Sequence, residues 1–274
     1  MGRGSLGEVV WPLLLAELAG DEHPLEDYLV ANSYLPGPAG NLSLAQAIAT
    51  AMARAAIDEP ERVWQLLARW AHVPLEEAPV NHPREMLPAT AALGRGAVAA
   101  AVPAYRSAAL AALRAQARDQ RWRTRELVAH GLQALLRADF ATSHAALAVW
   151  VRGGDLLELR AVAAAVAEPS VLVTREQTQA ALAFHAEIVN RVLEVPEQER
   201  RGEPFRALRQ GLGYTLSVVV AAAPQDGFVA LWGIAAIPDA DVRWILRENL
   251  KKARTLRLLQ AHPEYWPDYQ TVSH

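Results

Sequence analysis

The sequence predicts an all-α fold, an α-α superhelix in which antiparallel helix pairs stack as a right-handed solenoid, and three observations lead there. The first is an eight-residue phrase that occurs twice, Asp119-Gln120-Arg121-Trp122-Arg123-Thr124-Arg125-Glu126 and Asp241-Val242-Arg243-Trp244-Ile245-Leu246-Arg247-Glu248, agreeing at Asp, Arg, Trp, the second Arg and Glu. Internal recurrence of this kind marks a repeat architecture. The second is a pair of weaker echoes between the copies, Asp155-Leu156-Leu157-Glu158-Leu159-Arg160 and Glu203-Pro204-Phe205-Arg206-Ala207-Leu208-Arg209, so that starts fall at 119, 155, 203 and 239–241. Their separations bracket the period of about 40 residues typical of two-helix repeats. The third is composition: 52% apolar but only 7% aromatic residues, dominated by Ala and Leu, which favour helix and let helices approach closely.

Each element follows from local signals. Residues 11–19 and 25–31 read as short helices separated by Gly20 to Pro24, with Asp21 expected as an N-cap. Residues 32–41 hold Pro36, Gly37, Pro38 and Gly40 and cannot continue a helix. Ser43 is the expected cap of a helix over 44–57, and Asp58-Glu59-Pro60 opens one over 61–72. A loop with three prolines spans 73–83, followed by helices over 84–102 and 103–118, the first expected to break or kink at Gly94-Arg95-Gly96. Further helices are predicted over 141–151, 155–167, 174–193, 204–222, 227–237 and 239–261. The Pro- and aromatic-rich tail, through Trp266 to Tyr269, is expected to fold back as a cap on the last repeat. The organisation expected is a single globular unit, with an N-terminal segment 1–42, repeats over 43–261 and a tail 262–274.

The repeated phrase reads as a helix opening. Asp119 and Asp241 are expected to accept backbone N–H groups at helix starts, and Trp122 and Trp244 to be buried at equivalent positions. Arg121 and Arg125, like Arg243 and Arg247, are four residues apart and share a face. This arrangement resembles the HEAT-repeat family, in which the second helix of a repeat commonly begins with an acidic residue followed by Arg. The chain is more distantly similar to alkylpurine DNA glycosylases built from HEAT-like repeats. That resemblance implies groove residues of Trp and Asp type, for which Trp122, Trp150, Asp155 and Trp244 are the candidates by residue type and expected position.

No catalytic motif is present: there is no P-loop, no His-Glu-x-x-His and no Gly-x-Ser-x-Gly, so no catalytic residue is assigned and no cofactor is expected. The absence of cysteine removes disulfides and thiolate zinc sites, and the eight histidines form no i, i+3 or i, i+4 pair, so no metal is expected. The longest apolar stretch, 211–223, is too short to span a bilayer and the N-terminus has no signal-type pattern, so a cytoplasmic protein without membrane contact is expected. Net charge is −3, yet cations cluster at Arg118, Arg123 and Arg125 and at Arg243, Arg247, Lys251, Lys252 and Arg254. For Arg121, Arg125, Arg243 and Arg247 two readings stand side by side. They form a ladder of Arg–Asp pairs between repeats, or they line a groove that contacts phosphate. The expected function is accordingly a non-enzymatic scaffold for a protein or peptide partner, with a DNA-binding or alkylation-repair protein as the alternative. Oligomeric state is not specified by the sequence.

Overall fold

The computed structural model describes residues 5–267. Among them are fourteen α-helices, four short 3₁₀ turns and no strand. The helices are α1 Leu6–Ala19, α2 Pro24–Ala31, α3 Leu42–Ala55, α4 Pro60–Ala71, α5 Met86–Ala101, α6 Arg106–Gln116, α7 Trp122–Ala138, α8 Phe140–Gly153, α9 Leu156–Val166, α10 Arg175–Glu194, α11 Glu203–Ala222, α12 Pro224–Ala235, α13 Ala240–Leu250 and α14 Ala253–Ala261. Contacts divide the chain into two compact units, 1–143 and 144–274. The expected tail residues Asp268 and Tyr269 lie outside the described residues. No described helix is long and apolar enough to cross a membrane.

In the first unit α1 packs on α3, α3 on α5 and α5 on α7, while α2, α4 and α6 pack against this row. The centre is α5, where 13 of 16 residues are buried. A helix apolar on all sides can only be an interior one, which explains its Ala-rich sequence. The break expected as one outcome at Gly94-Arg95-Gly96 does not occur; α5 is helical from Met86 to Ala101. These glycines serve contact instead: a Cβ on Gly96 would overlap the backbone of Gly131 in α7, and one on Gly94 would lie 2.6 Å from the Leu67 side chain of α4.

The second unit repeats the scheme around α11, which packs against α9, α10, α12, α13 and α14. Buried Asn249 ties α13 to α11: its Nδ2 donates to Leu212 O and Ile245 O, both at 2.8 Å, and its Oδ1 accepts from Ser217 N at 2.7 Å. The helix expected over 239–261 is interrupted at Lys251 and Lys252. Lys252 takes an extended conformation (φ −69°, ψ 136°) and opens α14. The described part of the tail lies on α12, with Trp266 stacked on Trp232 at 4.1 Å and Trp232 Nε1 donating to Tyr265 O at 3.0 Å.

Several helix starts differ from expectation because side chains beyond local sequence supply the caps. Asn41, not Ser43, caps α3, accepting from Leu44 N at 3.1 Å. Asp21 does not cap α2. Glu17 reaches across from α1 and accepts from Leu25 N (2.9 Å) and Glu26 N (3.0 Å). The two copies of the repeated phrase are also out of step. The N-cap of α7 is Arg121 and that of α13 is Asp239, so Trp122 is the first residue of its helix and Trp244 the fifth. Burial of Trp122 is therefore overturned: its side chain is 43% exposed. Asp119 accepts Arg121 N (2.8 Å) ahead of the helix, and Asp241 sits inside the first turn of α13. All four phrase starts nevertheless lie at or next to the beginning of odd-numbered helices, α7, α9, α11 and α13.

Candidate functional site

The arginines of the first phrase turn inward. Arg121, Arg123 and Arg125 are all buried. Arg121 Nη2 pairs with Asp119 Oδ2 (2.7 Å) while Nη1 donates to Val73 O (3.0 Å), and Arg125 Nη1 donates to Asp119 O (2.7 Å). Arg123 reaches Glu85 Oε2 (2.8 Å) and Gly37 O (2.7 Å), and Asn81 Oδ1 accepts from Gly37 N (3.0 Å). The two Pro-rich loops are thereby latched to the ends of α5 and α7 by charge-assisted hydrogen bonds. Removing Arg123 from Glu85 would strand a fully buried carboxylate, so this guanidinium is committed within the protein. Arg118 is exposed.

In the second unit, Arg–Asp contacts between helices are made by an arginine outside the repeated phrases. Arg200, after α10, donates to Asp239 (2.7 Å) and Asp241 (3.2 Å) at the start of α13 and to Val195 O and Val192 O near the end of α10. The Asp239 hydrogen bond raises the Arg200 pKa above its ordinary value. Burial alone would raise the Asp239 carboxyl, but Arg200 and the N–H groups of Val242 and Asp241 outweigh it and hold the pKa below the usual carboxylate value. Arg191 likewise donates to the carbonyls of Val151, Arg152 and Gly154 at the end of α8. Sequence reasoning missed both, since neither stands in a repeated phrase.

A cation–aromatic face covers α11, α13 and α14. Arg209 lies 4.0 Å over the Trp244 ring and pairs with Asp241 (2.9 Å), and Trp244 packs on Gly213, where a Cβ would meet the ring at 2.9 Å. Half-exposed Tyr214 is flanked by Arg254 (4.7 Å over the ring, 2.6 Å to the hydroxyl) and by Lys252 (5.7 Å). Among the described residues Lys252, Arg254, Arg243 and Arg247 make no ion pair, whereas Lys251 pairs with Glu248 at 3.2 Å. Of the groove residues implied by resemblance to the glycosylases, Trp150 is buried and Asp155 caps α9, accepting from Leu157 N and Glu158 N at 3.0 Å each.

The first unit also carries an apolar cleft of about 180 Å³. One wall is the face of α7 bearing Trp122, Glu126 and His130, which are four residues apart; the other is Ala39, Gly40 and Leu42 at the start of α3, and Met86 lies between. Arg123 stacks 4.4 Å from the Trp122 ring and fixes it at the rim. Leu42 and Trp122 are both exposed. The signal in sequence was the spacing 122, 126, 130, which the expectation of a buried Trp122 concealed.

One acidic–histidine trio occurs among the described residues, Glu17, His23 and Glu26. Arg69 bonds Glu17, and Arg84 pairs with Glu26 at 3.0 Å, so its charge is already met. Comparison with protein-family models, with curated proteins and with solved structures gave no match for this chain.

Proposed function

We propose that the chain is a non-enzymatic helical-repeat scaffold, a right-handed α-α superhelix of HEAT-like helix pairs, that holds a peptide segment of a protein partner. The side-by-side packing of odd-numbered helices within each unit, and the recurrence of phrase starts at or next to the beginnings of α7, α9, α11 and α13, support the repeat. The observation that carries the binding role is the cleft at Trp122. Pockets for cofactor-sized ligands run to roughly 300–1,000 Å³. A cleft of about 180 Å³ is smaller and suits one large apolar side chain of an extended peptide, with Trp122 and Leu42 closing on it. Peptide libraries selected on the full chain test this. Enriched peptides should share an apolar anchor and lose binding to Trp122→Ala; no enrichment, or enrichment indifferent to Trp122, overturns the reading.

A second reading, a nucleic-acid contact, is favoured by the cations without carboxylate partners around Tyr214, since base stacking on aromatic rings beside Lys and Arg is how nucleic acids are held. Affinity for an oligonucleotide should then fall with salt with a log–log slope of about −0.9 per duplex phosphate contact. Charge reversal at Lys252 and Arg254 should flatten it. Binding weaker than about 10⁻⁴ M eliminates this reading.

A further inference from the structure

Arg95 stands apart from the other buried arginines. It lies in the middle of α5 and is 7% exposed. Arg121 and Arg123 each meet a carboxylate within 2.8 Å, whereas Arg95 makes no ion pair among the described residues. Its Nη1 donates to Gln116 Oε1 on α6 at 2.8 Å, and Gln116 is oriented for this by donating its own Nε2 to Pro88 O at 3.1 Å. Its Nε is sealed without a partner, and the Trp64 ring of α4 is 5.8 Å from the guanidinium carbon. Glu61, also on α4, accepts from Tyr105 at 3.1 Å and does not pair with Arg95.

A guanidinium taken out of water without a counter-charge is costly, and neither a neutral amide nor an aromatic ring at that distance supplies one. Burial accordingly lowers the Arg95 pKa. Of its rigid planar fork only Nη1 has an acceptor among the described residues, and Nε is buried without one; such a fork matches the two oxygens of a carboxylate or phosphate. We propose that Arg95, between Trp64 of α4 and Gln116 of α6, is the seat of an oxyanion site, taking the phosphate or carboxylate group of a small ligand. The site is independent of the Trp122 cleft and of the peptide reading. Trp64 and Tyr105, whose rings lie 4.9 Å apart, would flank the remainder of a larger ligand.

The test uses the full chain in phosphate-free buffer, with inorganic phosphate, acetate and phenyl phosphate as probes and chloride at equal ionic strength as control. One of the three should raise the Tm saturably and shift the Arg95 Nε–Hε NMR signal. Arg95→Met should lose the Tm response and be at least as stable as wild type without probe, because an uncompensated charge has been removed. If that variant does not fold, the wild-type Arg95 signal decides alone. A stronger response to phenyl phosphate than to inorganic phosphate assigns the oxyanion to an aromatic ligand, and equal responses assign it to the free ion. An Arg95 signal unmoved by all three at tens of millimolar, or a variant responding like wild type, overturns the proposal.

Discussion

Acidification should destabilise this protein through His185, and the size of the effect follows from the ring's surroundings. His185 on α10 has no solvent exposure. Nδ1 lies 2.8 Å from Ala181 O, and because a carbonyl only accepts, Nδ1 carries the proton and Nε2 accepts from the Thr215 hydroxyl at 2.9 Å. Burial disfavours the imidazolium and, against the smaller opposing pull of the Ala181 bond, lowers the pKa to about 4. Unfolded, the same ring titrates near its ordinary value of about 6.5. Between those values the unfolded chain binds a proton that the folded chain does not, so stability is complete above about pH 6.5 and drains away as pH falls towards 4. At 1.36 kcal/mol per unit, the full shift is worth about 3 kcal/mol, and the step from pH 6.5 to 5 about 2 kcal/mol. Urea unfolding of wild type and His185→Gln over this range measures it. His144, whose pKa burial also lowers, is present in both proteins and cancels. The wild-type advantage should shrink by about 2 kcal/mol across that step. Equal slopes would refute the buried neutral ring.

Other substitutions separate structural from exposed residues. Trp122→Ala should cost far less than the roughly 3–5 kcal/mol of a core Trp, because the indole is 43% exposed, and thermal unfolding decides. Arg123→Met strands Glu85 and should cost about 3–5 kcal/mol, much of it recovered in the Arg123→Met, Glu85→Met double variant; additive losses would deny the latch. Gly96→Ala drives a methyl into the Gly131 backbone and should cost about 1–3 kcal/mol, whereas an unchanged Tm would mean that α5 and α7 can separate freely. Loss of the Asp155 cap in Asp155→Ala should cost about 1 kcal/mol in urea or thermal unfolding.

Helices were legible wherever the signal was local. Pro and Gly marked the loop at 32–41 and three prolines the loop at 73–83, and helices begin next to Asp155 and Thr174, where the sequence placed helix starts. What sequence could not reveal were the partners brought together by packing. Glu17 caps a helix eight and nine residues away, and Arg123 meets Glu85 across 38 positions. Shared letters then misled: Trp122 and Trp244 occupy matching places in the phrase but different turns of their helices, because the chain begins α13 at Asp239 and α7 only after Arg121. The interruption at Lys251 and Lys252 has neither Pro nor Gly to announce it. At the candidate site, the spacing of Trp122, Glu126 and His130 was visible, while the opposing wall at Leu42 needed the fold.

Asn249 makes the backbone of α11 answerable to α13. The Ser217 amide, in a fully buried stretch of the second unit's central helix, points its hydrogen at a side chain 32 residues later in the chain. Its hydrogen-exchange rate therefore records whether α13 is docked, as well as whether α11 is helical. Exchange that speeds up at Ser217 while its helical neighbours stay protected would mark α13 peeling away as a separate event. Loss of protection across both helices together would mean that they open as one cooperative piece.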